Sequence, residues 1–308
     1  MKFTIVTPSY RQLDYLGCCV GSVADQTGVQ VEHIVQDAGS PGIGEFSEKI
    51  GKQLREPSGG SRVDNLTSGE LLHLRTSRGY SLRIFKEPDS GMYDAINRGM
   101  AKATGSILAY LNCDEQYLPG VLRRVAEAFR VCVSADIFFG DVVVLKADGH
   151  ALCWRKVLVP LVPHTWTCHF SAFSAGMFFR KELFEKGVHF DVSYRAAADA
   201  TWYLQARRQG ARSGALNFIT STFLSHGNNL GLSPLAEEER GRIQKTAPSW
   251  MRLGGGIWRI AHRLRRWMCG SLRPRGLEYA VYLSGQKQRT AFHEHRVPGY
   301  WPGRWRLP

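Results

Sequence analysis

The chain has 308 residues, 44% of them apolar and 22% charged. That is enough for one large domain or two modest ones, and too evenly mixed for a fibrous, collagen-like or disordered protein. The net charge of +13 is confined to one end: residues 240–308 hold 15 Lys and Arg against Glu278 and Glu294, while residues 1–239 balance with 25 of each sign.

In chain order, residues 3–7 form a short apolar, β-branched run that predicts a buried strand, followed by a helix over 12–26. A second strand is predicted at 31–37 and a helix at 42–55. Residues 57–80, rich in Gly, Ser and Arg, are expected to be an exposed insertion. A third strand follows at 82–86. Met92, Ala95, Ile96, Met100 and Ala103 recur at helical spacing and predict a helix over 90–103. A strand at 106–111 and a helix at 119–130 come next. Asp148-Gly149 predicts a hairpin between 136–145 and 151–157, with a helix at 196–209 and a strand at 217–224 after it. Strands alternating with helices imply an α/β fold, a mostly parallel mixed sheet flanked by helices.

No apolar run reaches the roughly 18–20 residues that cross a bilayer, and Pro8 interrupts the first apolar run too early for a signal peptide. A cytoplasmic protein is expected. Seven cysteines without CxxC spacing read as free thiols.

Ligands of open α/β sheets bind beyond the carboxyl ends of the strands. Here those ends read Thr7-Pro8-Ser9-Tyr10, Asp37-Ala38-Gly39-Ser40, Glu87-Pro88-Asp89-Ser90-Gly91 and Asn112-Cys113-Asp114-Glu115. There is no GxGxxG and no GxxxxGK[ST], so neither a dinucleotide fingerprint nor a P-loop is present. Carboxylates at strand ends can instead hold a divalent cation that in turn holds phosphates.

These stretches, with AAADATWYLQ at 196–205, resemble the nucleotide-sugar-dependent, inverting glycosyltransferases of family 2. The segment EPDSGMYDAINRGMAKATGSILAYLNCDE at 87–115 is similar to that of enzymes building bacterial surface polysaccharides. The resemblance covers roughly residues 1–230 and implies a GT-A fold, with 1–232 as catalytic domain and 233–308 as a basic helical extension. It implies that Thr7, Pro8 and Tyr10 line the nucleotide pocket, that Asp37 accepts a hydrogen bond from the base, and that Asp89 helps to hold the nucleotide or sugar. Asn112-Cys113-Asp114 occupies the family's DxD position. Asn112 then suits ribose or water-mediated contacts, Asp114 is the main ligand of a Mg²⁺ or Mn²⁺ ion, and His226 is a late metal or phosphate ligand. Ala198-Asp199 matches the pair that supplies the catalytic base, making Asp199 the candidate; Asp191 and Asp141 are alternatives. Asp89 and Asp199 could equally serve helix starts. The chain departs from the pattern at 174–181, SAGMFFRK, where relatives often carry His-Gln and FFRR.

The implied activity is sugar transfer from a nucleotide sugar, UDP-linked above all, to a surface-polysaccharide or lipid-linked acceptor. In the tail, Ile257, Ile260, Ala261, Leu264, Trp267 and Met268 share one helical face, with Arg259, Arg263 and Arg266 opposite. Such a helix lies in a membrane interface or packs on the catalytic domain. The first role suits a protein peripheral to the inner face of the cell membrane, with an anionic membrane as partner. Residues 298–308 are expected to be irregular. A sugar-phosphate nucleotidyltransferase would need a Gly-rich phosphate loop that Tyr10-Arg11-Gln12 lacks. A catalytically inactive binder of nucleotide, membrane or nucleic acid is the other alternative.

Overall fold

A computed structural model describes residues 1–56, 60–227 and 229–301. The first half runs β1 (Lys2–Ser9), α1 (Leu13–Ala24), β2 (Gln30–Asp37), α2 (Ile43–Leu54), β3 (Ser61–Val63), β4 (Glu70–Thr76), β5 (Tyr80–Lys86), α3 (Met92–Ala101), β6 (Ile107–Tyr110), β7 (Glu115–Tyr117) and α4 (Val121–Val131). Then come β8 (Ile137–Leu145), β9 (Ala151–Arg155), α5 (Val162–Thr167), β10 (Met177–Arg180), α6 (Lys181–Glu185), α7 (Ala198–Arg208) and β11 (Ser213–Leu224). The tail holds α8 (Pro234–Lys245), α9 (Ser249–Leu253), α10 (Gly255–Met268), β12 (Arg275–Tyr282) and β13 (Arg289–Val297).

One sheet takes the order β3-β4-β5-β2-β1-β6-β10-β8-β11-β7, with β9 on β8. Its centre, β5-β2-β1-β6, is parallel, as is β8 with β11; the remaining pairings are antiparallel. β1 is buried on both faces. Phe3 and Ile5 pack with Leu16, Val20 and Val23 of α1, while Val6 packs with Ile96 and Met100 of α3 and an aromatic group that includes Phe179, Phe190 and Trp202. Burying each such side chain stabilises the fold by about 1.5–3 kcal/mol. The glycines of the 87–115 segment allow the close packing. A Cβ at Gly99 would lie 2.5 Å from Val6 Cγ1, and one at Gly105 would lie 2.6 Å from the Phe3 and Thr4 backbone.

Two expectations need correcting. The stretch 57–80 is no simple insertion: β4 lies inside it and pairs antiparallel with β5, burying Leu72 and Leu74 (residues 57–59 are outside the described set). The extension 233–308 is helical only through Met268. It then forms the β12–β13 hairpin, whose Leu277, Tyr279, Val281 and Val297 join the same apolar cluster as Phe3 and Ile5. Of the irregular stretch predicted at 298–308, residues 302–308 lie outside the described residues.

α10 packs inside out. Ile257, Ile260, Leu264, Trp267 and Met268 are 52–70% exposed, whereas the polar His262 is buried at 7%. No helix among the described residues is long and apolar enough to cross a membrane.

Candidate active site

The parallel strands β5, β2, β1 and β6 carry the four sequence-singled ends on one edge of the sheet. Asp37, at the end of β2, is fully buried and holds the loop behind it. Its Oδ1 accepts from the Gly39 and Ser40 amides at 2.9 and 2.6 Å, and its Oδ2 from the Ser9 and Ser40 hydroxyls at 2.8 and 2.7 Å. Each oxygen thus serves two donors of the chain itself. Thr7 lies on the neighbouring strand β1. Its hydroxyl points into the core, 2.9 Å from His33 Nε2, and burial pushes the His33 imidazole down to about 3. Pro8 is buried, and its carbonyl accepts from the Cys113 thiol. Tyr10 is the exposed member, at 54%.

Arg11, absent from the sequence-derived site, stands beside it with φ 54°, the one positive-φ residue other than glycine among the described residues. That conformation costs a non-glycine residue about 1 kcal/mol or more and clusters at functional sites. Its amide donates to Ser40 Oγ at 2.7 Å and its guanidinium lies 5.1 Å from the Tyr10 ring. Asp89 does not cap α3; its Oδ1 accepts the Gly91 amide at 2.9 Å, and burial raises its carboxyl above the usual range.

After β6, the chain alternates. Cys113 is buried, while Asn112 and Asp114 face the other way and are part-exposed. Across 112 residues, His226 Nε2 comes to 2.9 Å from Asp114 Oδ2, with Asn229 Nδ2 donating to the same oxygen at 3.2 Å. The His226 ring stacks on Tyr15 at 5.7 Å. Glu115, next in line, accepts the Asn112 amide at 2.8 Å. Burial and then the charge of Asp114 push Glu115 up to about 8, and burial also raises Asp114 despite His226. Asp114, withdrawn from water with the His226 imidazole against it, presents a carboxylate and an imidazole that a divalent cation could bridge. Carboxylate oxygen plus imidazole nitrogen is a donor set Mn²⁺ accepts.

Asp199 lies in the first turn of α7. Its Oδ1 accepts the Tyr110 hydroxyl and its Oδ2 the Tyr93 hydroxyl at 3.2 Å. Burial raises its carboxyl to about 6, against the lowering effect of the two phenols, and its charge is felt at Glu115. What sets the start of α7 is Glu239, a residue sequence analysis passed over. Buried on α8, it accepts the amides of Arg195, Ala196 and Ala197 at 2.7, 2.8 and 2.9 Å. The other candidate bases are engaged elsewhere. Asp191 is exposed and accepts the Ser193 amide, and buried Asp141 accepts the Val157 amide at 2.8 Å.

A family model described as "Glycosyl transferase family 2" matches residues 4–187. A PGL/p-HBAD biosynthesis glycosyltransferase of Mycobacterium bovis is 26% identical over 269 residues, 86% of this chain and 90% of that one. The uncharacterized glycosyltransferase EpsJ of Bacillus subtilis is 20% identical over 252 residues, 79% and 66% of the two chains. Among solved structures, Staphylococcus aureus TarS in complex with UDP-GlcNAc superposes with a TM-score of 0.55 at 15% identity, over 79% of this chain and 64% of that one. This chain therefore spans less than two thirds of that TarS structure. The mannosyltransferase PcManGT from Pyrobaculum calidifontis, in complex with GDP-Man and Mn²⁺, gives 0.50 at 13% identity over 85% and 75%. At such identities these two likenesses are of fold, the GT-A fold.

Proposed function

The chain belongs to glycosyl transferase family 2 and is a glycosyltransferase, and on that premise we propose that it transfers a sugar with inversion from a UDP-linked donor to a hydroxyl of a lipid-linked or polysaccharide acceptor. The observation that carries this reading is Asp199: a carboxylate held by two phenols, raised to about 6, and close enough to Glu115 for its charge to be felt there. A base whose pKa lies about one unit below neutral is mostly ionised yet still basic enough to take a proton.

Asp199 removes the proton of the acceptor hydroxyl as that oxygen bonds to the anomeric carbon from the face opposite the leaving group. The bond from that carbon to the donor's phosphate oxygen breaks, and the nucleoside diphosphate departs with the electron pair. Tyr93 and Tyr110 fix the carboxylate's orientation. Asp114 and His226 are the residues that would hold a Mn²⁺ or Mg²⁺ ion, which supplies charge neutralisation for the departing diphosphate. Tyr10, Arg11, Asp89 and Asn112 line the donor side, and Asp37 acts beneath them by fixing the 37–40 loop. UDP is favoured over GDP by the likeness to TarS, although PcManGT carries GDP-Man.

α10 forms the membrane-facing part in this reading. It turns its apolar face outward, and the exposed Arg252, Arg259 and Arg263 complement an anionic surface, each basic side chain contributing about 1 kcal/mol. The test is a thermal-shift series with UDP-, GDP- and TDP-sugars, with and without Mn²⁺, on the wild type and Asp114→Ala. Stabilisation by a UDP-sugar that depends on Mn²⁺ and is lost in the variant is expected. Unchanged Mn²⁺ dependence in Asp114→Ala rejects Asp114 as the ligand, and no shift with any nucleotide sugar rejects the donor assignment.

A further inference from the structure

Asp114 and His226 are brought together by one short strand. β7 begins immediately after Asp114, and β11 ends two residues before His226. The two strands pair antiparallel, Glu115 against Phe223, Gln116 against Thr222 and Tyr117 against Ser221. That register carries the Asp114 carboxylate to within 2.9 Å of the His226 ring. β7 stands at the end of the sheet, with β11 on one side. An edge strand of three residues has few ladder bonds and frays unless its other side is held.

The tail holds that other side. Gln116 reaches Tyr282, the last residue of β12. Its Nε2 donates to the Tyr282 carbonyl at 2.9 Å, and its Oε1 accepts the Tyr282 amide at 2.8 Å. One side chain thus takes both backbone groups of a strand residue, as a neighbouring strand would. Next to it, the Tyr117 amide donates to Ser22 Oγ of α1 at 3.2 Å. Tyr282 is itself fixed. Its phenol donates to Asp25 Oδ2 at 3.0 Å, its ring packs on Gly21, and Arg289 of β13 pairs with the same Asp25 carboxylate. Both Tyr282 and Arg289 lie beyond the stretch 4–187 that the family model matches.

We infer that Gln116 is a positioning residue for the divalent cation: it ties the C-terminal hairpin to the loop that carries Asp114, which makes the hairpin part of the metal site. The inference rests on the reading of Asp114 and His226 as metal ligands. Side chains alternate along a strand, so Gln116 points away from the face of Glu115, whose carboxylate accepts the Asn112 amide. Gln116 therefore acts through the backbone. With its amide on Tyr282, β7 keeps its register with β11 and Asp114 keeps facing His226. Without that hold, ordering the loop is charged against metal binding. Groups that orient a ligand from behind carry about 10–100-fold in metal affinity without touching the ion.

The experiment uses the full chain and the variants Gln116→Met, Gln116→Thr, Tyr279→Phe and Asp114→Ala. Met matches Gln in length and makes neither bond to Tyr282. Thr keeps the strand preference of the position and is too short to reach. Tyr279→Phe removes the hydrogen bond from the Tyr279 hydroxyl to the Gly149 carbonyl at 2.9 Å, which loosens the hairpin at the β8–β9 turn and leaves Gln116 alone. Mn²⁺ affinity is read by calorimetry without donor, with melting curves alongside, and kcat is read at low and at saturating Mn²⁺. Both Gln116 variants should bind Mn²⁺ about tenfold or more weakly, and saturating Mn²⁺ should restore their kcat. Tyr279→Phe should melt lower with its Mn²⁺ affinity unchanged. Wild-type Mn²⁺ affinity in either Gln116 variant, or a loss in Tyr279→Phe as large as theirs, overturns the inference and leaves the metal reading standing. No Mn²⁺ binding by the wild type, or binding that survives Asp114→Ala, overturns the metal reading and the inference with it.

Discussion

Replacing Asp199 by Asn separates chemistry from structure, because the two effects run in opposite directions. In the folded protein the carboxyl is raised from 3.8 to about 6, chiefly by burial. A shift of about two units is about 3 kcal/mol. The sign follows from the raised value: stability is fully present below about pH 4 and is lost as pH rises through about 6, so at pH 7 the charged form weighs against folding. Asn removes that cost. Its amide oxygen still accepts from one tyrosine, and its NH₂ group faces the other, a loss of roughly 1.5–2 kcal/mol. The variant should therefore melt at or slightly above the wild-type temperature at pH 7, with the difference vanishing toward pH 4. Transfer should fall by about 10²–10⁴, the usual worth of a general base. The wild-type kcat profile should rise through about pH 6, and that limb should be missing from the variant's residual rate. Sugar transfer from a UDP-sugar is the assay, with donor affinity by calorimetry alongside. Near wild-type transfer would refute the base assignment. Joint loss of donor binding and melting temperature would make Asp199 a structural group.

Two further outcomes follow from α8 and α10. Changing Ile260, Leu264 and Trp267 together to Ser should leave the melting temperature within a few degrees, since all three side chains are more than half exposed. It should weaken partition onto anionic vesicles at least a hundredfold, at about 1 kcal/mol per side chain; unchanged vesicle binding in flotation would mean another surface meets the membrane. Glu239→Ala strands three amides ahead of α7, a loss of about 3 kcal/mol, visible as a melting temperature lower by about 6–10 °C. Its kcat should drop with donor affinity kept, and Glu239→Gln should restore part of both; equal losses in kcat and donor affinity would mean that Glu239 supports the whole fold and not the base.

The alternating strands and helices of the first half were legible because each β-branched run ends at a polar turn and each helix shows a 3.6-residue stripe. The approach of His226 to Asp114 was legible only through a family resemblance, since nothing local ties residues 112 positions apart. Which way Thr7 points was not legible at all. β1 is buried on both faces, so the period-2 alternation that normally tells inside from outside is erased. Glu239 sits in Glu237-Glu238-Glu239, and no local feature marks the third as the one whose carboxylate turns inward. The hairpin did leave a trace in the alternation of Leu277, Tyr279 and Val281, obscured by the basic composition around it.

That hairpin has a consequence for how the chain is made. Tyr282 packs against Gly21 of α1, and Arg289 pairs with Asp25 at 2.6 Å, 264 residues later in the sequence. At about 5–20 residues per second of synthesis, roughly 15–50 s separate the two partners' emergence from a ribosome. Throughout that interval the outer flank of α1 is an uncovered, partly apolar surface awaiting strands not yet made. The outward-facing α10 emerges before β12 and β13, so the segment suited to a lipid surface is available before the fold has closed over its own beginning. On the proposed membrane role of α10, a nascent chain could meet a bilayer while its first helix still waits for its cover.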